Sequence, residues 1–196
     1  LAISLNIMGQ AQSFTRALRD AFFQVSSIIT TTGFATVDYN FWPEFSKHML
    51  VLLMVFGACA GSTGGGMKIS RVIILVKSLF AEIKQIITPK AVVTVRLDGK
   101  AVNTQTLNST RVYAAAYLIL VCVFTLVLSL DGLDLTTNFT AVLACFNNIG
   151  PGLGLVGPAA NFSVYSDWAQ LWLSIAMLTG RLEIFPMFLL FAKSAH

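Results

Sequence analysis

Two short stretches of this sequence suit backbone oxygen chemistry. Thr30-Thr31-Thr32-Gly33-Phe34 closes a helical stretch, Phe14 to Ile29, whose apolar part begins only at Ala21. Asn147-Asn148-Ile149-Gly150-Pro151-Gly152 closes an apolar run, Phe139 to Ile149, that is too short to cross a bilayer. A helix that enters the hydrocarbon and stops at glycine leaves backbone groups that lipid cannot satisfy. Such backbone survives only inside protein or along a water-filled cavity. The extended residues after the stop present carbonyl oxygens, which can replace the hydration shell of a cation. Glycine lets such strands crowd a narrow axis. The carbonyl end of the short helix adds the negative pole of its dipole. One of these stretches alone reads as a turn; two in matching positions point to cation coordination.

A second unusual stretch runs from Gly57 to Lys68, Gly-Ala-Cys-Ala-Gly-Ser-Thr-Gly-Gly-Gly-Met-Lys. Gly61-x4-Gly66 has the glycine spacing of a phosphate-binding loop. That motif needs Lys-Ser/Thr next, whereas Met67-Lys68-Ile69 follows here, and no buried strand precedes it. The better reading is unwound backbone within a membrane helix, facing a cavity. Arg181 lies thirteen residues after Trp168, near mid-membrane. A charge there costs about 2.5–3.5 kcal/mol on insertion scales, so it must face the interior or a partner. Glu183 is a poor partner, because residues two apart fall on different helix faces. Cys59, Cys122 and Cys145 fit no metal spacing and are expected to be inert, buried thiols. Asn108, Asn138 and Asn161 begin N-x-S/T triplets, which are common by chance and are discounted as glycan acceptors.

The elements that must hold these stretches are those of a membrane protein. Of 196 residues, 56% are apolar and only 11% charged, against about 25% charged in a soluble domain. A disordered chain and a nucleic-acid binder are excluded, although the net charge is +4. Eight of the thirteen basic residues lie between Lys68 and Arg111, the pattern of a cytoplasmic loop and its flanks. Val112 to Leu130 is an uncharged run of nineteen residues, roughly 28 Å as helix, and spans the membrane once. Phe41, Trp42, Trp168 and Trp172 are expected to form an interfacial belt, and His48 to sit at the interface beside them. The chain begins with Leu inside an apolar stretch, which suggests a piece of a larger protein.

The order of elements repeats. Phe139 and Gly150 lie 117 positions after Phe22 and Gly33. Met177-x-x-Gly180 lies 123 positions after Met54-x-x-Gly57, the six extra residues falling in an external loop. Each unit reads as short helix, glycine turn, external loop, long helix, which is how internal repeats of membrane transporters look.

Thr31-Thr32-Gly33-Phe34, Gly57 to Lys68, Asn147 to Gly152 and Gly180-Arg181-Leu182-Glu183, in that order, resemble the TrkH/KtrB potassium-transporter family of the Trk/Ktr/HKT superfamily, TrkH most of all. The resemblance runs from about Phe14 to the end. It implies an all-α integral membrane protein made of two tandem membrane helix–pore helix–membrane helix units, the third and fourth of a pseudo-fourfold pore. Residues 1–90 would be the third unit, 91–110 a cytoplasmic connection, and 111–196 the fourth. The first and second pore units of the same polypeptide would complete the pore.

By the same resemblance, potassium is the transported ion. It would be held by backbone carbonyls of Thr31, Thr32, Gly33, Asn148, Ile149 and Gly150. Gly61, Ser62, Thr63, Gly64, Gly65 and Gly66 would form an intramembrane gate together with Arg181. No covalent chemistry and no organic cofactor are expected. The implied setting is the lipid bilayer of a bacterial inner membrane, with roughly Glu82 to Arg111 cytoplasmic. The implied partners are a second copy, giving a homodimer, and a cytosolic nucleotide-binding regulatory subunit like TrkA. Two alternatives are a non-conducting structural subunit and a sodium-permeable relative.

Overall fold

A computed structural model describes residues 1–9, 11, 13–57, 65–88, 94–97 and 99–181. Seven α-helices carry the chain: α1 (Ala2–Asn6), α2 (Phe14–Ile29), α3 (Glu44–Val55), α4 (Ile69–Ile87), α5 (Thr104–Leu128), α6 (Leu135–Phe146) and α7 (Asp167–Arg181). Two minimal strand pairs accompany them. β1 (Phe56–Gly57) runs parallel to β2 (Met67–Lys68), and β3 (Arg96–Leu97) pairs antiparallel with β4 (Lys100–Ala101).

Side-chain caps start the helices that matter. Ser13 Oγ accepts the Arg16 amide at 3.3 Å and opens α2. Asn103 opens α5 by accepting the Gln105 amide. This polar first turn makes α5 begin eight residues before Val112, inside the segment expected as a connection. Its polar N-terminal turns carry Arg111, which bonds the Ser78 hydroxyl and pairs with Glu82 on α4. Asp134 opens α6 four residues before the apolar run begins at Phe139.

α5 is the element whose composition declares a membrane. Thr110, Tyr113, Tyr117, Val121, Phe124 and Leu128 form one buried stripe. On its other faces Leu118, Ile119 and Leu126 are 60%, 62% and 69% exposed. A helix apolar on both the packed and the exposed side belongs in hydrocarbon. The segment Thr104–Asp131 is the one helix among the described residues that is long and apolar enough to cross a membrane. Cys122 is on its exposed side, so the expectation of a buried thiol holds for Cys145 and fails for Cys122. Cys59 lies outside the described residues.

α6 is the hub, packed by α7, α5 and α3. α7 faces it with Ala169, Leu173, Ala176 and Gly180, spaced four, three and four apart. Small residues in such a stripe bring helix backbones close, which is how helices associate where no hydrophobic force drives them together. The expected aromatic belt divides in two. Phe41 and Trp168 are exposed, but Trp42 is buried edge-on to Tyr39, and Trp172 packs 5.3 Å from Phe124. His48 is exposed at the head of α3, as expected for the interface, with Nδ1 2.7 Å from the Glu44 carbonyl. Asn138 is 1% exposed and bonded to Leu133 and Tyr165, which rules it out as a glycan acceptor.

The two repeat units interlock. One core cluster joins Ala17, Ala21 and Ile28 of α2 and Leu50 and Met54 of α3 to Ile149 and Leu153, which follow α6. The backbone after the second short helix is thus packed into the first unit.

Candidate functional site

α2 and α6 end at positions 117 residues apart and in the same way. At the end of α2, Thr30 N–H donates to Ser26 O, Thr31 N–H to Ile28 O at 3.1 Å, and Thr32 N–H to Ser27 O at 2.9 Å. At the end of α6, Asn147 N–H donates to Leu143 O, Asn148 N–H to Cys145 O at 3.0 Å, and Ile149 N–H to Ala144 O at 2.8 Å. These three bonds correspond donor for donor and acceptor for acceptor; the first turn adds a long one, Gly33 N–H to Ser27 O at 3.4 Å. The pattern is a Schellman ending, which normally carries glycine at its left-handed residue. Here that residue is Thr31, with φ 53°, and Asn148, with φ 54°. Asparagine tolerates this region; a β-branched threonine there is a true outlier, at a cost on the order of 1–3 kcal/mol. Two residues after Thr31 and Asn148, Gly33 and Gly150 also have positive φ, 78° and 114°.

These endings free oxygen. Among the described residues, the carbonyls of Thr31, Thr32, Gly33, Asn148, Ile149 and Gly150 accept no hydrogen bond from protein. Six such carbonyls gathered at two matched turns make an acceptor-rich site; of the six residues Ile149 is buried, Thr31, Gly33 and Asn148 are half-buried, and Thr32 and Gly150 are exposed. The turns adjoin one cavity of about 400 Å³, lined by Thr31, Thr32, Asn148, Ile149 and Gly150 among others. The turns also touch. A β-carbon built on Gly33 would overlap the Ile149 carbonyl oxygen and stand 3.2 Å from its carbon and 3.3 Å from Pro151 Cδ. Gly150 also has a positive φ but not the crowding, since the nearest atom to its built β-carbon is Gly33 Cα at 3.8 Å. No group of acidic, cysteine and histidine side chains suited to a metal occurs among the described residues; the oxygens on offer here are backbone carbonyls and the neutral side chains of Thr31, Thr32, Asn148, Gln170 and Ser174.

Side chains that sequence reasoning passed over hold the strands. Ser27 Oγ donates to Phe34 O at 2.6 Å, and Gln24, 1% exposed, reaches toward Thr36 and Val37. In the second unit Thr140 Oγ1 accepts the Leu153 amide at 2.9 Å, and Thr137 Oγ1 accepts the Leu155 amide at 3.2 Å. Across the units, Asn40 accepts the Gly154 amide at 2.9 Å and donates to its carbonyl at 3.0 Å. The available signal was a set of polar residues three apart inside apolar short helices, Gln24 with Ser27 and Thr137 with Thr140. Asn40 carried no such signal.

At the head of α6, Asp134 takes the Thr137 hydroxyl at 2.6 Å and the Thr137 amide at 3.0 Å. These bonds, the hydroxyl first, hold its carboxyl below the usual range.

Of the expected gate, Gly61, Ser62, Thr63 and Gly64 lie outside the described residues. Gly65 and Gly66 lie against Asn147 at the end of α6. Gly180, the repeat counterpart of Gly57, faces the Phe146 carbonyl, whose carbon would be 2.7 Å from a built β-carbon. Arg181, exposed, follows one residue later in α7. The free carbonyls and the edges of the glycine-rich break therefore meet at the two ends of one backbone segment, Phe146 to Gly150.

Paired short helices that stop at oxygen-rich turns, in a helical chain with an apolar exterior, define a membrane transporter fold. The chain belongs to the TrkH family of cation transport proteins, whose family model matches residues 5–196. It is 41% identical over 172 residues to the Trk system potassium uptake protein TrkG of Escherichia coli K12, covering 88% of this chain and 35% of that one. It is 40% identical over 174 residues to the Trk system potassium uptake protein TrkH of Vibrio parahaemolyticus, covering 89% and 36%. The crystal structure of the potassium transporter TrkH from Vibrio parahaemolyticus superposes with a TM-score of 0.89 at 36% identity, over 98% of this chain and 41% of that chain. The chain thus spans little more than a third of the length of these relatives.

Proposed function

We propose that this chain is the third and fourth pore units of a potassium uptake protein, and that its two Schellman turns are two of the four strands of a selectivity filter. The observation that carries the reading is the match of hydrogen bonds at a 117-residue offset, with the six carbonyls of Thr31, Thr32, Gly33, Asn148, Ile149 and Gly150 accepting no hydrogen bond among the described residues. A dehydrated monovalent cation needs several oxygens at fixed distance, and strained, over-determined turns supply them without side-chain entropy. The names of the relatives, potassium uptake proteins, select potassium among monovalent cations.

The glycine-rich segment Gly61 to Gly66 acts with Arg181 as the barrier below the filter. A fixed guanidinium near the axis would oppose cations, and free loop carbonyls could hold it. The working protein is a homodimer in the bacterial inner membrane. Its basic inner segment, roughly Glu82 to Arg111, faces the cytoplasm and a nucleotide-binding regulatory subunit. No bond is made or broken in its work.

The test is uptake of potassium by the complete protein in cells that lack potassium uptake of their own. Selective uptake with sodium as a poor competitor is expected. Shortening the segment between Gly61 and Gly66, or Arg181→Ala, is expected to raise the flux without abolishing selectivity. Absence of cation flux would leave the chain a non-conducting subunit. Equal uptake of sodium and potassium would make it a sodium-permeable relative.

A further inference from the structure

Asn147 is fully buried and sits where α6, α5 and the end of α3 converge. Its repeat counterpart, Thr30, keeps to its own unit: the hydroxyl bonds back to Ser26 O at 2.7 Å and lies 2.7 Å from the Thr32 hydroxyl. Asn147 reaches across to the other unit, where its Nδ2 donates to Met54 O at 2.7 Å.

That carbonyl needs a partner. α3 ends at Val55 because Phe56 and Gly57 turn extended and pair with Met67 and Lys68. Met54 O is therefore among the last-turn carbonyls that helix termini leave without an internal donor. Because a carbonyl can only accept, the amide orientation is settled: nitrogen faces Met54 and oxygen faces away. The Tyr117 hydroxyl lies 3.0 Å from Nδ2 and 3.1 Å from Oδ1 and closes the amide on its other side.

The far edge of the glycine-rich break rests on the same residue. A β-carbon built on Gly65 would be 2.6 Å from the Asn147 carbonyl carbon, and one on Gly66 would be 3.1 Å from Asn147 Oδ1. Met54 before the break and Gly65–Gly66 at its far edge thus both seat on one side chain and its backbone. The next residue is Asn148, the left-handed start of the second oxygen-rich turn, whose own Nδ2 donates to Met177 O at 3.1 Å.

We propose that Asn147 is a positioning residue that latches the second turn to the glycine-rich break, so that displacement of the break is transmitted to ion discrimination. This rests on the filter-and-gate reading above. Asparagine is required because the position needs a donor toward Met54 and tight contact with glycine backbone at once. Aspartate would set an acceptor against an acceptor, and leucine would leave Met54 O unpaired.

The experiment uses the complete protein in cells without potassium uptake of their own. Rubidium uptake is measured with and without competing sodium, per transporter molecule. Asn147→Asp and Asn147→Leu are expected to raise maximal uptake at least threefold and to lower rubidium-over-sodium preference at least fivefold. Tyr117→Phe, which keeps the bond to Met54, is expected to stay within twofold of wild type on both. With the Gly61–Gly66 segment shortened, Asn147→Leu should add less than twofold.

Wild-type rate and preference in Asn147→Asp would overturn the latch while leaving the filter reading intact. So would a Tyr117→Phe effect equal to that of Asn147→Leu, or an undiminished effect in the shortened background. A wild type that takes up no rubidium would overturn both. Amide exchange of Gly57 and Met67 in the purified complete protein gives a readout that does not depend on flux. At least tenfold faster exchange in Asn147→Asp is expected, and unchanged exchange would overturn the proposal.

Discussion

Gly33→Ala tests the close approach of the two oxygen-rich turns most directly. Two costs add at this position. The backbone is held at φ 78°, and an L side chain in the left-handed region costs about 1–2 kcal/mol. The new methyl would also occupy the place of the Ile149 carbonyl oxygen and stand 3.2 Å from its carbon. Ordinary carbon contacts need about 3.5–4.0 Å, so the turns must part by roughly an ångström, the kind of overpacking that costs about 1–3 kcal/mol. The sum, about 2–5 kcal/mol, falls on the carbonyls proposed to hold the ion. If a third of it, about 0.7–1.7 kcal/mol, is lost from the difference between potassium and sodium, discrimination falls by about threefold to fifteenfold. Rubidium uptake by the complete protein against rising sodium measures this, with transporter quantified in the membrane. Gly33→Ser should act in the same direction, and so should Gly150→Ser, which shares the strain at φ 114°. Unchanged sodium competition in a normally accumulated Gly33→Ala protein would refute the placement of Gly33 in the filter.

Three further substitutions probe the supports of the site. Gly180→Ala places a methyl against the Phe146 carbonyl and forces α7 off α6, so the complete protein should lose about 1–3 kcal/mol of stability, read as a lower melting temperature in detergent. Asn40→Ala removes both bonds to Gly154 and should cost about 1–3 kcal/mol, whereas an unchanged melting temperature would show the clamp to be idle. Asp134→Ala should cost about 0.5–2 kcal/mol as a lost helix cap. Because the Asp134 carboxyl is held low, its contribution is present above the unfolded value of about 3.9 and is lost as pH falls through the lower folded value. Asp134→Asn should therefore flatten the acid limb of a stability–pH curve, and an identical limb in wild type and Asp134→Asn would remove Asp134 from that role.

Much of this protein was legible in residue types and spacing. Short apolar runs that stop at Gly33 and Gly150 required re-entrant helices, because lipid leaves no other fate for their backbone. The start of α2 at Phe14, its end at Ile29 and the 117-residue repeat followed from the same pattern. Helix starts at Asp134 and Asn103 escaped the apolar pattern because they depend on polar caps that lie outside it.

What tertiary structure alone decided is which residues meet. Trp42 and Trp172 have the types of an interfacial belt, yet packing drew them inward. Gly33 and Gly150 hold matching places in the 117-residue repeat, but only Gly33 is pressed against the Ile149 carbonyl, a contact set by how the two units pack. Asn40 finding Gly154, and Asn147 finding Met54 at a separation of 93 residues, are long-range pairings of single polar side chains. They leave no periodic mark on a sequence. Periodicity records which face of an element is buried, while the identity of the atom across the interface is set only when the elements dock.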